Sequence, residues 1–296
     1  MKLKYLVLAL CGAWLVPALS QAAVSCSREG LQQAVDLYLA AQTKGDLSGL
    51  QLPANVGYWE NVAPADVKTG FINKPLKIDL HRSFLDVSTC QTFTEVIVTD
   101  KAAPYVLGAR LRVNHDKIVE VETLWTTTGY WLFNADDYLK YSGSEKWDAI
   151  PANKRTPRGK LVAAANAYLD AFLEKKLDLV PWGFPCVRIE GGAYTGKGTP
   201  KDSCEVGVPA GVNIANRRFV VDEELGVVQV FCTFGAGSPG GGSGAPDSHL
   251  FRVENGKLRY VHTLTHLLQK DFKGSTTPGS SMSNTPPVNK LEKELK

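Results

Sequence analysis

The hydrophobic positions of this chain follow two periodicities, and each of them occurs twice. In residues 31–47, LQQAVDLYLAAQTKGDL, apolar residues recur with the spacing of an amphipathic helix. Residues 161–179, LVAAANAYLDAFLEKKLDL, repeat that spacing, and Tyr38 aligns with Tyr168. Beyond each predicted helix, apolar and polar residues alternate, which is the pattern of half-buried β-strands. The pattern predicts two copies of one unit, a long helix followed by several strands.

The ends of the two copies share the clearest likeness. Residues 111–127, LRVNHDKIVEVETLWTT, align without a gap with the start of residues 251–268, FRVENGKLRYVHTLTHLL. Residues 114–116 and 254–256 are turn sequences between alternating runs, and an Asn-Gly pair in such a place indicates a β-hairpin. Each copy is therefore predicted to be a helix laid on a curved antiparallel sheet, which makes the fold class α+β.

Composition breaks divide the chain into segments. The first module is assigned to residues 26–141 and the second to residues 160–272, with a polar, proline-bearing linker at residues 142–159. Residues 273–296 are of low complexity and are predicted to be disordered. The second copy also contains a Gly-, Ser- and Pro-rich segment, residues 235–247, which is predicted to be a flexible loop.

The N-terminus has the features of a signal peptide, assigned to residues 1–22. Lys2 and Lys4 precede an apolar run over residues 5–19, and residues 20–22 offer a small-x-small cleavage site. An uncleaved membrane anchor is the alternative, although the apolar run is short for crossing a bilayer. We expect a secreted or periplasmic protein with no membrane association after cleavage.

Export to an oxidising compartment changes how the cysteines are interpreted. Of the six cysteines, one lies in the signal peptide, so an odd number remains and at least one is unpaired or bonded to another molecule. Cys186 and Cys204 stand in Gly- and Pro-rich sequence and are predicted to form a disulfide. Cys26 with Cys90 is a further candidate pair. Cys232 lies inside the apolar run VVQVFCTF and is predicted to be a buried free thiol.

Composition and charge exclude several classes of function. With 44% hydrophobic and 21% charged residues the chain is typical of globular proteins. The formal net charge of +3 falls to +1 without Lys2 and Lys4, and no basic stripe exists, so nucleic acid is not an expected partner. The Gly-rich segments lack the Lys-Ser/Thr ending of a phosphate loop, and no nucleotide cofactor is expected. The HTLTH sequence at residues 262–266 lies in a predicted strand without the zincin glutamate, so no metal site is expected.

Six short sequences resemble a known superfamily. In the first copy they are CSREGLQQAVDLYLAA, ENV and KIVEVETL, and in the second they are CVRIEGG, RRFVVDEELGVV and DSHLFRVENGKLRYVHTL. Over residues 26–268 the chain resembles nuclear-transport-factor-two-like proteins, which include ketosteroid isomerase, scytalone dehydratase and the SnoaL-like polyketide cyclases. It resembles most a family of secreted microbial proteins with two such modules in tandem. The resemblance implies cone-shaped modules, each with a pocket between the helix and the concave face of the sheet.

Strand alternation selects two titratable residues. One face of the repeated strand carries the following residues: Ile118, Glu120, Glu122 and Leu124, matched by Leu258, Tyr260, His262 and Leu264. If this face is concave, Glu122 and His262 occupy equivalent places among aliphatic residues, where burial shifts pKa values and favours general acid–base catalysis. If it is convex, it packs against the other module and both residues form salt bridges at the interface. The sequence leaves both possibilities open.

Further residues are candidates for substrate binding. Tyr38 and Tyr168, halfway along the helices, could point hydroxyl groups into the pockets or serve as core residues. Glu60 and Glu190 keep equivalent places in short strands and could contact a ligand or hold a loop. Tyr260 lies beside His262 on the selected strand.

The expected function is that of a secreted, cofactor-free enzyme, a lyase or dehydratase, an isomerase or a cyclase. It would act by acid–base chemistry on a small hydrophobic or aromatic molecule. Because the superfamily also contains binding and dimerisation modules, a carrier of a small ligand and an assembly module are the alternatives. We also expect the two modules to pair within the chain, as separate subunits do in homodimers of this superfamily.

Overall fold

The computed structural model describes residues 23–50, 52–239 and 244–271. The predicted signal peptide, residues 1–22, and the predicted disordered tail, residues 273–296, lie outside the described residues. No helix in the described part of the chain is long and apolar enough to span a membrane.

The two halves of the chain contain the same succession of elements. The first module consists of α1 (Arg28–Lys44), β1 (Gly57–Glu60), β2 (Ala63–Pro64), β3 (Leu80–Asp86), β4 (Gln91–Val98), β5 (Tyr105–Asn114) and β6 (Lys117–Thr126). A connecting helix follows, α2 (Ala135–Ser144). The second module consists of α3 (Arg158–Glu174), β7 (Trp182–Glu190), β8 (Ala193–Tyr194), β9 (Ile214–Asp222), β10 (Val227–Phe234), β11 (Ala245–Glu254) and β12 (Lys257–Thr265). Single turns of 3-10 helix occur at Ser48–Leu50, Phe71–Asn73, Ala152–Lys154, Leu177–Leu179 and Gln269–Asp271.

Both modules have one sheet topology. The strand order is β2-β1-β6-β5-β4-β3 in the first sheet and β8-β7-β12-β11-β10-β9 in the second. The pairings are antiparallel except for one in each sheet, where β1 runs parallel to β6 and β7 runs parallel to β12. The predicted α+β class and the tandem duplication are confirmed.

The long helices begin and end for local reasons. The Ser27 hydroxyl caps α1 by accepting a hydrogen bond of 3.0 Å from the backbone N–H of Gly30. The helix ends where Gly45 takes a left-handed conformation with φ of 67°. In α3 the corresponding left-handed residue is Lys175, with φ of 59°. The apolar stripe of α1, including Leu31, is fully buried against the first sheet.

The described residues form four apolar cores, and the three largest define the architecture. In each module one core lies between the long helix and the sheet. A third core lies between the outer faces of the two sheets, so the modules pack sheet to sheet, with α2 at the junction. Its members come from both modules, with Phe84, Phe93 and Leu124 from the first and Phe231, Leu250 and Leu264 from the second.

Two predicted loop segments contain regular structure. Helix α2 spans Ala135–Ser144 and extends into the predicted linker at residues 142–159. Strand β11 begins at Ala245, so the end of the predicted flexible loop at residues 235–247 belongs to the sheet. Asp247, the last residue of that predicted loop, is consequently buried.

The cysteines pair as the sequence indicated. Disulfides join Cys26 to Cys90 and Cys186 to Cys204. Cys232 is the free cysteine among the described residues, and it is buried in β10 as predicted.

Candidate functional site

Because the two sheets share one topology, each strand position in the first module has a counterpart in the second. In the first cone Val96 of β4 pairs with Leu107 of β5, and in the second cone Cys232 of β10 pairs with Asp247 of β11. Two residues further along the same strands, Ala109 pairs with Thr123 and its counterpart His249 pairs with Thr263. Three apolar positions of the first cone are therefore occupied by a cysteine, an aspartate and a histidine in the second.

Those three residues form a buried polar cluster in the second cone. The Asp247 Oδ2 atom lies 3.0 Å from His249 Nδ1. The Cys232 Sγ atom lies 3.6 Å from Asp247 Oδ2 and 3.9 Å from His249 Nδ1. Thr265 Oγ1 donates a hydrogen bond of 2.9 Å to the other carboxylate oxygen of Asp247. The side chains of Asp247 and His249 are at most 3% exposed.

The first cone shows that this fold does not require such a cluster. Its counterparts Val96 and Leu107 belong to a small apolar core, and Ala109 packs with the residues under α1. Moving polar groups out of water costs free energy even when they find partners. The cluster in the second cone is therefore retained at the expense of stability, which is typical of a functional site.

A small cavity adjoins the cluster. Its volume is about 20 Å³, enough for a water molecule or one reacting group, and its lining includes Tyr168, Arg188, Glu190, His249 and Thr263. The Nε atom of Arg188 and the Oγ1 atom of Thr263 are buried and have no hydrogen-bond partner among the described residues. The cavity thus offers an unpaired donor from a cation and an unpaired hydroxyl.

Part of the cavity lining is an ion-paired set. Arg188 donates to the Tyr168 hydroxyl oxygen at 3.2 Å and forms a salt bridge of 3.1 Å with Glu190. The indole N–H of Trp131 donates to the other oxygen of Glu190 at 2.7 Å. The structure therefore brings together two predicted substrate-binding residues, Tyr168 and Glu190, at the same cavity.

The electrostatics of the cone keep two groups neutral. Burial raises the pKa of the Cys232 thiol well above its ordinary value, and the Asp247 carboxylate raises it further. Burial also raises the pKa of Tyr168, although Arg188 opposes the shift. At neutral pH the cone therefore presents a thiol and a phenol rather than their anions.

The same cluster could hold a metal ion, contrary to the expectation of no metal site. One ligand atom from each of Cys232, Asp247 and His249 lies within 4.8 Å of the others. A thiolate, an imidazole and a carboxylate are the ligands that a tetrahedral zinc ion takes in proteins, and three of them leave a fourth position for water or substrate. Binding would require the thiol to lose its proton.

Glu122 and His262 lie outside the cones, at the interface between the modules. The face that carries them is turned toward the other module, which is the second possibility left open by the sequence. Glu122 accepts a hydrogen bond of 3.0 Å from Arg110 Nε and forms a salt bridge with Arg218 of the second module. His262 lies between two carboxylates, with Nδ1 at 2.8 Å from Glu95 of the first module.

The second carboxylate contacting His262 comes from the segment after α2. Glu145 Oε2 lies 2.7 Å from His262 Nε2. Burial lowers the pKa of His262, but Glu145 and Glu95 more than offset this and raise it to about 9. Burial raises the pKa of Glu95, yet His262 and Arg82 outweigh it and lower the pKa to about 2. At neutral pH His262 is a cation saturated by its partners, which suits an interface ion cluster.

The remaining predicted site residues lie elsewhere in the molecule. Tyr38 belongs to α1 and is fully buried against the first sheet, and its hydroxyl donates to Gln42 at 3.3 Å. Glu60 accepts a hydrogen bond of 2.6 Å from the Tyr58 hydroxyl and holds the following loop. Tyr260 lines a separate cleft near the end of α2. None of these three lines the cavity in the second cone.

Sequence reasoning missed the residues of the polar cluster other than the buried thiol. The composition of residues 235–247 predicts a loop for Asp247, and His249 is not among the candidates that strand alternation selects. The signal was present in the repeat itself. Extending the alignment of β6 with β12 back by one strand places Asp247 and His249 opposite Leu107 and Ala109.

The second module matches a described sequence family. Residues 154–265 match the family described as "Domain of unknown function (DUF8021)". No curated protein matches the chain.

Two solved structures with similarity to the chain each cover less than half of it. One is an NTF-2 like protein of unknown function from Burkholderia xenovorans LB400, with 16% identity and a TM-score of 0.28 over 41% of this chain and 89% of that one. Another is AclR from Streptomyces galilaeus, described provisionally as a hydroxylase, with 16% identity and a TM-score of 0.25 over 47% of this chain and 97% of that one. The described residues form two equivalent helix-and-sheet modules in tandem, which is the arrangement that the resemblance to nuclear-transport-factor-two-like proteins implied.

Proposed function

We propose that this protein is a secreted enzyme that transforms a small hydrophobic or aromatic molecule by proton transfer in the second cone. The observation that carries the proposal is the buried Asp247–His249 pair, which stands where the equivalent cone has Leu107 and Ala109. Reactions of the lyase, isomerase or cyclase type need little more than one positioned acid or base.

In this proposal His249 moves the proton. The Asp247 carboxylate, 3.0 Å from His249 Nδ1, favours a proton on that nitrogen, which leaves Nε2 as the atom that takes a proton from the substrate or returns it. Arg188 lines the same cavity with an unpaired N–H group, and it would stabilise negative charge that develops on a substrate oxygen. The cavity admits one reacting group, so the body of the substrate would lie toward the loop that contributes Gly207 and Pro209 to the lining.

Secretion is supported by the two disulfides. Disulfides persist in oxidising compartments and are rare in reducing ones. Cys26–Cys90 and Cys186–Cys204 together with the predicted signal peptide, residues 1–22, favour a secreted or periplasmic location.

The test is turnover by matched histidine variants. The purified protein is incubated with a panel of small aromatic and polyketide compounds, and products are followed by mass spectrometry as isomers or as loss of water. His249→Gln should lower turnover about 100-fold or more in protein that circular dichroism shows to be folded. His81→Gln, the same change at an exposed histidine of the first module, should leave turnover unchanged. Full activity of His249→Gln would refute the proposal, and tight binding without turnover would favour a carrier.

A metal-assisted reaction is the second candidate function, because the cluster provides three suitable ligand types. It predicts that the purified protein contains zinc, that chelation abolishes turnover, and that Cys232→Ser reduces the zinc content. Proton transfer by His249 predicts instead that turnover survives chelation and that Cys232→Ser remains active. Elemental analysis and a chelation assay on the same preparation distinguish the two.

A further inference from the structure

A second cleft lies outside both cones, where the end of α2 meets β7, β8 and β12. Its volume is about 390 Å³, within the range of small-molecule sites. Glu145, Tyr194, Arg259 and Tyr260 are among its lining residues. At the equivalent strand positions of the first module, Val119 and Glu120 replace Arg259 and Tyr260.

Arg259 contributes an unsatisfied cation to this cleft. Its Nη1 atom is buried and has no hydrogen-bond partner among the described residues. The guanidinium carbon lies 4.3 Å from the centroid of the Tyr260 ring, which fixes the plane of the group. Asp202 also lines the cleft, but its carboxylate already accepts hydrogen bonds from the backbone N–H groups of Lys197 and Gly198. An anion is the partner that this arginine lacks.

Glu145 contributes an unsatisfied acceptor of opposite charge. Its side chain is only 3% exposed, and its Oε2 atom contacts His262 at 2.7 Å. Trp147 donates to the same oxygen at 3.0 Å. The Oε1 atom is buried and has no partner among the described residues. A buried carboxylate oxygen without a donor is costly, and a ligand hydroxyl would remove that cost.

The walls between these two groups are aromatic and rigidly held. The Tyr194 ring stacks on Tyr141 with centroids 4.0 Å apart. The Tyr260 ring packs against Trp147 at 5.4 Å. The disulfide between Cys186 and Cys204 joins β7 to the segment that follows the cleft-lining residues 198–202. The site is therefore largely preformed, which lowers the entropy lost on binding.

We propose that this cleft binds a small aromatic acid that carries a hydroxyl group. The carboxylate pairs with Arg259, the ring lies beside Tyr194 and Tyr260, and the hydroxyl donates to Glu145 Oε1. This goes beyond the proton-transfer function proposed above, because the residues involved lie outside the cavity in the second cone.

The test is calorimetric titration of the full chain with 2-, 3- and 4-hydroxybenzoate, with benzoate and phenol as the compounds that lack one group each. At least one hydroxybenzoate should bind saturably, and loss of either group should weaken binding about tenfold or more. Arg259→Gln should weaken binding of that hydroxybenzoate to a similar extent. Arg112→Gln is the matched control, because Arg112 is a half-exposed arginine of the first module, and it should bind like the wild type.

Two results would overturn the proposal: no saturable binding of any of the three hydroxybenzoates, or equal affinity of the wild type and Arg259→Gln at equal melting temperature. The titration needs no turnover, so it is independent of the reaction in the cone. Catalytically inactive His249→Gln that still binds hydroxybenzoate would show that the two sites are separate.

Discussion

Asp86 and Asp222 end equivalent edge strands, and each one binds the arginine that begins the long helix of the other module. Arg158 of the second module reaches both carboxylate oxygens of Asp86 at 2.7 and 2.8 Å. Arg28 of the first module reaches both oxygens of Asp222 at 3.1 and 3.0 Å. The two bidentate pairs are exchanged as they would be across the axis of a symmetric dimer, although both modules belong to one chain.

We therefore expect the exchanged pairs to stabilise the packing of the two modules. Asp86 is fully buried, and Asp86→Asn removes the carboxylate that pairs with Arg158. The substitution should lower the free energy of unfolding by about 3 kcal/mol. The control is Asp136→Asn, which removes an exposed salt bridge with Lys101 and should cost less than about 1 kcal/mol. Urea unfolding measures both. Equal costs would show that the exchanged pair contributes no more than a surface pair.

The ion cluster at His262 predicts a dependence of stability on pH. The pKa of His262 is raised from 6.5 to about 9. The stability that its positive charge contributes is therefore fully present below pH 6.5 and is lost as the pH rises through 9. The pKa of Glu95 is lowered from 4.5 to about 2, so its contribution is present above pH 4.5 and is lost toward pH 2.

Unfolding of the wild type and of His262→Asn should be followed from pH 5 to 10. The wild type should lose more stability than the variant between pH 6.5 and 9, because only the wild type has the raised pKa at this position. Parallel curves through that interval would show that His262 is not held as a cation.

The duplicated fold was predictable because the apolar periodicities repeat. Which face of each final strand points into its own cone and which points toward the other module was not predictable. A register shift between Arg112 and Val113 makes β5 and β6 change their alternation near the turn. As a result Ile118 and Val121 both pack in the core under α1, although strict alternation places them on opposite faces. Glu122 therefore faces the other module. A bulge leaves no mark in the pattern of apolar residues, so sequence reasoning could not choose between the two faces.

The polar cluster escaped prediction for a different reason. Asp247 follows a Gly- and Pro-rich segment, and composition alone assigned it to a loop. Asp247 belongs to β11 because it pairs with Cys232 of β10 on one side and with Thr265 of β12 on the other. These pairings depend on the tertiary structure and not on local composition. The partners of His262 are equally remote, since Glu95 belongs to the other module and Glu145 follows a helix that the sequence did not indicate.

Giving the second cone the apolar residues of the first tests whether the polar cluster supports function at a cost in stability. The triple variant Cys232→Val, Asp247→Leu and His249→Ala gives the second cone the residues of the first. It should be at least as stable as the wild type, because three buried polar groups become apolar. It should also lose the turnover that His249 supports. A large loss of stability, measured by urea unfolding, would show that the cluster is needed for the fold.

The disulfide between Cys186 and Cys204 should matter for stability and for the cleft. It closes a loop with a sequence separation of 18, and replacing both cysteines with alanine should lower the free energy of unfolding by about 3 kcal/mol. The Cys26–Cys90 pair spans 64 residues, so its removal should cost about 1 kcal/mol more by the same loop-entropy argument.

The two double variants also separate the role of the first disulfide in the cleft from general stabilisation. Removing Cys186–Cys204 frees the segment that contributes Thr199 and Pro200 to the cleft, so hydroxybenzoate binding should weaken. Removing Cys26–Cys90, which lies in the first module, should leave that binding intact under conditions where the protein stays folded. Titration of both variants measures the difference, and equal weakening in the two would mean that binding follows overall stability rather than the order of this loop.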